Sequence, residues 1–297
     1  MPELPEVETI ARGLDKRIAG ETIESVWLGS KPEPLKSSPQ EIASVLEHAR
    51  IARVRRVGKH IVFDLEGKSR KRQRPSPRLA SGKTTRTWGT GATRGQWIVH
   101  LGMTGQLLIA SSELETAKHT HAVLKLASGR ELRFVDPRRF GRLAVVRITA
   151  QDGSGFAAPG DEPLDAKSDH FITLFRHRKT PIKSALLNQK LLSGVGNIYA
   201  DEALFRAGIR PRRRAASLTR GELSKLHTAL LEVLREAIKL GGSSINDYVD
   251  AEGREGLFQL QHRVYGREGE PCLVCKTPIK RVIIAGRSSH YCPHCQK

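Results

Sequence analysis

Four cysteines stand within the last 26 residues of this 297-residue chain, and there are no others. They run Cys272-Leu273-Val274-Cys275, then sixteen residues, then Cys292-Pro293-His294-Cys295. Two Cys-x-x-Cys knuckles so spaced match a four-cysteine zinc site. Disulfides fit poorly, because the acidic N-terminus without an apolar core is not an export signal. Four thiolates complete a tetrahedron and leave no open coordination position. One structural zinc ion is therefore expected to fold this segment, with His290 and His294 as bystanders.

The charge narrows the partner. Lys and Arg number 50 against 31 Asp and Glu, a formal +19, with a sequence pI near 10.2. A surplus of that size calls for a polyanion, nucleic acid or an anionic membrane surface. No apolar run approaches the roughly 20 residues of a membrane span, so an integral membrane protein is excluded. A cytoplasmic, nucleic-acid-associated protein is the natural class.

The pattern of elements divides the rest. A helix is expected behind Pro5, with Val7, Ile10, Leu14 and Ile18 as its apolar stripe and Gly20 closing it. Residues 22 to 150 read mostly as short β-branched strands: 22 to 28, 51 to 57, 60 to 65, 96 to 100 and 106 to 110. Two more, 121 to 126 and 131 to 135, flank a Ser128-Gly129 hairpin signal. Runs of strands spaced by turns suggest a sandwich or barrel. Near residue 170 the pattern turns helical. Thr180 and Pro181 predict a helix to about Leu192, and a second should run from Ile198 to Gly208. The capping box Thr219-x-x-Glu222 opens a third, striped by Leu223, Leu226, Leu230, Leu234 and Ile238. The turn Ser193-Gly194-Val195-Gly196-Asn197 would offer backbone amides suited to phosphate, or simply join two helices. Residues 243 to 256 read as a mobile polar loop.

Two further segments stand out. The chain opens Met1-Pro2-Glu3-Leu4-Pro5-Glu6. An initiator methionine before a small residue is generally trimmed, which would free the ring nitrogen of Pro2 as a secondary amine. An α-amino group titrates at roughly 8, so it can attack an electrophilic carbon and form a permanently charged iminium. Glu3 beside it can carry the proton. Residues 68 to 94 hold nine cations (Lys68, Arg70, Lys71, Arg72, Arg74, Arg78, Lys83, Arg86, Arg94) and no acid. Their Ser, Thr, Gly and Pro content and lack of periodicity predict a disordered basic insertion between strands.

Taken in order, PELPEVE at the start, HLGMTG at 100–105, DPRRFG at 136–141, GVGNIYADE at 194–202 and VYGREGEPC at 264–272 closely resemble the formamidopyrimidine-DNA glycosylases. The resemblance spans the chain apart from the basic insertion. It implies an α+β protein: an N-terminal β-sandwich with an amino-terminal helix (1–150), a helix–two-turn–helix domain (151–260) with a lesion-capping loop at 243–256, and a four-cysteine zinc finger (261–297). It also implies base excision repair, in which oxidised purines are flipped out of double-stranded DNA and excised. The strand is then nicked by β,δ-elimination, with the chain acting as a monomer.

Carried over by motif, Pro2 resembles the Schiff-base nucleophile and Glu3 the proton donor for base loss. Lys59 matches the proton donor for β-elimination, and Arg287 the finger arginine linked to δ-elimination. His100, Asn197 and Tyr265 fall at phosphate contacts, and His119, Arg138 and Arg178 at further DNA contacts. Met103, Arg138 and Phe140 align with a wedge that fills the void left by the extruded nucleotide, pairs with the orphaned cytosine and intercalates. Methionine is adaptable filler, arginine a planar donor fork, and an apolar ring can part a base step. Two alternatives are an endonuclease VIII-like enzyme for oxidised pyrimidines and a non-catalytic zinc-finger DNA-binding protein. Leu4 with the wedge set opposes the first, Pro2 with Glu3 the second.

Overall fold

The computed structural model describes residues 1–67, 94–148, 155–244, 249–251 and 253–297. The expected insertion at 68 to 94 lies outside the described residues except for its last residue.

The first helix, α1 (Leu4–Ile18), begins where the Glu3 amide donates to the Glu6 carboxylate at 2.8 Å. Behind it come β1 (Ile23–Leu28), α2 (Pro39–Leu46), β2 (Arg50–Val57), β3 (His60–Glu66) and β4 (Arg94–His100). Then follow β5 (Gln106–Ser111), β6 (Thr120–Leu126), β7 (Arg130–Val135) and β8 (Arg142–Ile148). They form two four-stranded antiparallel sheets, ordered β2-β3-β4-β8 and β1-β6-β7-β5. Alternation along the strands sends Ile51, Phe63, Trp97, Leu124 and Phe134 between the sheets, and Val7, Ile10, Leu14 and Ile18 of α1 join the same core.

The expected strands all form. The sequence reading missed β8 and α2, although Ser38, Pro39 and Glu41 make a complete capping box at the latter.

The helical unit comprises α3 (Ser168–Phe175), α4 (Ile182–Leu186), α5 (Asn197–Ala207) and α6 (Arg220–Lys239). Thr219 caps α6 together with Glu222 as expected, and Gly208 ends α5 at φ 73°. The helix expected from 180 to 192 is much shorter. Thr180 accepts from the Ala215 amide and the Ile182 amide donates to Arg213, so this stretch is extended and pairs across the chain. Past Leu186 the Gln189 side chain donates to the carbonyls of Leu187 and Val195 and closes a turn. The helix α3 was not anticipated. Leu4 of α1 packs into this helical core while the rest of α1 packs into the sandwich. One helix thereby joins both cores, with Glu3 at its outer end.

The last unit is a hairpin, β9 (Lys280–Ile284) and β10 (Arg287–Tyr291), between the cysteine knuckles. Its small core is completed by Phe205 of α5. Among the described residues no helix is long and apolar enough to cross a membrane.

Candidate active site and nucleic-acid interface

Strand register gathers six of the candidate residues, Lys59, His100, Met103, His119, Arg138 and Phe140, at one end of the sandwich. His60 pairs with His100 and His100 with Arg142, while Gln106 and Thr120 both pair with Val135. The β2–β3 turn with Lys59, the β4-to-β5 and β7-to-β8 crossovers between the sheets and the approach to β6 with His119 therefore share that edge. The basic insertion leaves β3 at the opposite end, where Glu66 pairs with Arg94.

At the inner side of this edge Pro2 is buried and Glu3 is 5% exposed. Glu3 Oε1 accepts the Asn197 amide at 2.6 Å, so the start of α5 serves a carboxyl of this chain and that amide is not left open for phosphate. Gly196 leaves room for that carboxyl, because a Cβ would fall 1.9 Å from Glu3 Cδ and displace it. Glu3 Oε2 is buried with no hydrogen-bond partner among the described residues. Burial lifts the Glu3 carboxyl from 4.5 to about 7, opposed by the charge of Lys59 and reinforced by that of Glu6. Glu6 is itself buried and raised by desolvation, although it accepts from the Tyr199 hydroxyl and, at 2.8 Å, from the Ser243 amide.

Lys59 sits in the two-residue turn Gly58-Lys59, where Gly58 takes φ +59° as a tight hairpin requires. Burial lowers its proton affinity; Glu3 acts in the opposite sense, and Arg287 adds to the lowering. A buried clamp fixes this turn. Arg56 donates to Glu8 of α1 at 2.7 Å, to Glu162 of the helical unit at 2.7 and 2.8 Å, and to the Gly58 carbonyl at 3.1 Å.

The finger is held to the helical unit by two adjacent acids of α5. Asp201 pairs with the fully buried Lys183 at 2.7 Å and accepts from the Ser289 hydroxyl and the His290 amide. Lys183 also donates to the Ser288 carbonyl at 2.6 Å. These bonds fix β10, at whose exposed start Arg287 stands. Glu202 accepts the backbone amides of Arg263, Val264 and Tyr265 at 2.9 to 3.1 Å. That places Tyr265 against Asn197, whose side chain lies 3.4 Å from the Ser288 hydroxyl.

His100 accepts the Gly102 amide on Nδ1 at 3.1 Å, which leaves Nε2 to carry the proton. Burial, with His60, Arg142 and Lys59 nearby, pushes its pKa down to about 4. It is thus a neutral donor at physiological pH. Met103 and Phe140 are 45% and 53% exposed, and the Arg138 guanidinium lies 4.9 Å above the Phe140 ring. Arg178 is not brought to this cluster by any described contact; its Nε turns back to the Leu174 carbonyl. Residues 245–248 and 252 of the expected capping loop are outside the described residues. The described remainder is anchored, with Ala251 2% exposed in the sandwich core and its carbonyl accepting the Ile109 amide.

The four Sγ atoms lie within 4.8 Å of one another, with Cys272–Cys295 at 3.9 Å and Cys275–Cys292 at 3.4 Å. Zinc–thiolate bonds of about 2.3 Å in a tetrahedron set the sulfurs about 3.8 Å apart, whereas a disulfide needs about 2.05 Å. The cluster fits one structural zinc ion. His290 faces Asp201 and takes no part in it.

Sequence reasoning missed Glu6, Arg56, Lys183, Asp201 and Glu202 as parts of the site, although Glu6 stands inside PELPEVE and Asp201-Glu202 inside GVGNIYADE.

A sandwich, a helical unit and a finger with four clustered cysteines meet around the buried Glu3 and the partly buried Lys59. Known proteins share this order of domains and this fold. Residues 1–143 match the formamidopyrimidine-DNA glycosylase N-terminal domain, 159–249 the corresponding H2TH domain, and 269–297 the zinc finger found in FPG and IleRS. The formamidopyrimidine-DNA glycosylase of Solibacter usitatus is 44% identical over the full length of both chains. The Thermus thermophilus MutM (Fpg) crystal structure superposes with a TM-score of 0.79 at 40% identity, covering 99% of this chain and 98% of that one. A Lactococcus lactis Fpg mutant in complex with Fapy-dG-containing DNA superposes at 0.82 and 32% identity, covering all of both chains. The chain belongs to the formamidopyrimidine-DNA glycosylase family.

Proposed function

We propose that this chain is a bifunctional DNA glycosylase and AP lyase of base excision repair. It acts as a monomer in the bacterial cytoplasm on oxidised purines in double-stranded DNA. The work divides among a catalytic sandwich (1–150), a helix–two-turn–helix unit (151–260) and a zinc finger (261–297). One observation carries the reading: Glu3, next to Pro2 in the chain and with its pKa near 7, holds a buried oxygen with no hydrogen-bond partner among the described residues. A structural carboxylate would be satisfied. A proton donor working near neutral pH needs this environment.

Once Met1 is removed, the Pro2 nitrogen attacks C1′ of the flipped nucleotide. The glycosidic electron pair leaves with the damaged base, which takes a proton from Glu3. Glu3, now ionised, takes the proton of the Pro2 nitrogen and returns it to O4′ as the C1′–O4′ bond breaks, so that the opened sugar is held as an iminium. The iminium acidifies C2′, and loss of that hydrogen expels the 3′ phosphate, with Lys59 supplying the proton this elimination requires. A second elimination, aided by Arg287, expels the 5′ phosphate and leaves a one-nucleoside gap. His100, Asn197 and Tyr265 hold phosphates around the lesion, His119 and Arg178 reach further along the duplex, and Met103, Arg138 and Phe140 replace the extruded nucleotide. Zinc, when bound, supplies no chemistry and keeps β10 in place.

Borohydride trapping on a duplex containing 8-oxoguanine tests the reading. Protein with a free Pro2 should be captured covalently and nick the strand; protein with a verified N-terminal extension should bind but do neither. Full nicking by the extended form would falsify the amine mechanism.

A further inference from the structure

Met103 and Phe140 are large, apolar and exposed, and the Arg138 guanidinium lies over the Phe140 ring. The loops that carry them are ordered from below. They ride on neighbouring crossovers between the same two sheets, Leu101–Gly105 from β4 to β5 and Asp136–Gly141 from β7 to β8. One residue joins the two. Asp136 is fully buried; its Oδ1 accepts from the Thr104 hydroxyl of the first crossover at 2.6 Å, and its Oδ2 from the Gly141 amide at the end of its own at 2.7 Å. Its backbone extends the tie. The Asp136 amide donates to the His119 carbonyl, and its carbonyl meets His121 Nε2 at 2.9 Å and the Arg139 amide at 3.2 Å.

The crossovers also touch directly. A Cβ on Gly102 would lie 2.5 Å from the Phe140 carbonyl carbon, and one on Gly141 would lie 2.4 Å from the Phe134 ring. Between Arg138 and Phe140 the backbone passes through Arg139 at φ +57°, a left-handed conformation that a side chain like arginine's resists. That reversal lets Arg138 lie over Phe140, and Arg139 is held by Glu33 at 2.8 Å.

We infer that Asp136 and Thr104 are positioning residues that buckle the two crossovers into one rigid wedge, so that Met103, Arg138 and Phe140 enter the duplex together. The inference rests on the proposed DNA function and goes past it to how the wedge is made stiff. Extruding a nucleotide costs unstacking energy, and a wedge ordered beforehand avoids adding its own ordering cost at that moment. The Thr104 hydroxyl is the cut point. Valine keeps its shape and removes the bond, while Asp136→Asn retains an oxygen for Gly141 and an N–H for Thr104.

The test compares two substrates under single turnover: 8-oxoguanine in duplex, which must be extruded, and a preformed abasic site in a single strand, where no base is extruded or orphaned. Thr104→Val should slow duplex excision by about tenfold, the weight of a hydrogen bond to a charged group, and leave single-strand cleavage unchanged. Asp136→Asn should stay within about threefold of the parent on both, since it keeps a bond to each crossover. Equal zinc content and a cooperative thermal melt well above the assay temperature establish that the variants fold. If Thr104→Val slows both substrates alike or neither, the buckle is refuted. Damage in Asp136→Asn with Thr104→Val unaffected would put the requirement in the charge and also refute it. A parent chain inactive on both substrates would instead overturn the proposed function.

Discussion

Replacing Glu3 with glutamine should abolish base excision and stabilise the fold above neutral pH. Burial lifts the Glu3 carboxyl from 4.5 to about 7. A rise of about 2.5 pH units, at about 1.4 kcal/mol each, means that ionised Glu3 costs the folded state about 3 kcal/mol. The sign follows from which state holds the proton. Below about 4.5 both folded and unfolded chains hold it and the cost vanishes; between 4.5 and 7 only the folded chain does, and stability falls as pH rises; above 7 the full cost is present. Glutamine cannot ionise. It keeps an oxygen for the Asn197 amide and puts an amide nitrogen where Oε2 has no partner, so one unpartnered atom replaces another. At about 2 °C per kcal/mol for a chain of this size, the variant should melt about 6 °C above the parent at pH 8 and level with it near pH 4.5. The assay is a thermal melt of both proteins across that range, with zinc saturated. A difference that does not grow with pH, or a parent that is the more stable at pH 8, would refute the assigned environment of Glu3. Excision of 8-oxoguanine measured on the same samples should be lost while duplex binding persists.

Cys275→Ser should lower zinc content and lesion-DNA affinity together, because the bonds that seat Arg287 and Ser288 belong to the hairpin between the knuckles; a zinc-free variant that bound like the parent would contradict this. Replacing residues 68 to 94 with a short Gly-Ser turn should flatten the dependence of log affinity on log salt by about 0.9 for each phosphate the chain no longer neutralises. Low-salt excision should survive that replacement, because β3 and β4 run about 20 Å from the insertion to the Lys59 end. An unchanged slope would mean the nine cations do not meet DNA.

What was legible in the sequence was what repeats locally or is spelled by spacing. The α1 stripe, the Thr219 capping box, the short β-branched strands and the cysteine knuckles each depend on neighbours within a few residues, and each appears as expected. The motifs around Pro2, Lys59, His100, Asn197 and Arg287 named candidates, but neither spacing nor periodicity put them together. Helix α4 failed as a reading because Thr180 and Ile182 pair with residues about thirty positions away, and long-range pairing overrides a local cap. The same limit hid Arg56, Asp136, Asp201 and Glu202. A charged residue in sequence reads as surface, and only the fold reveals that these are buried and what they hold. Glu3 is the clearest case. Its identity was written in the second codon after the start, but its proton affinity was raised by burial and held back by Lys59 and the Asn197 amide, all of which only tertiary packing brings about. Desolvation and charge act through space, and the chain acquires that space only when α1 closes between its two cores.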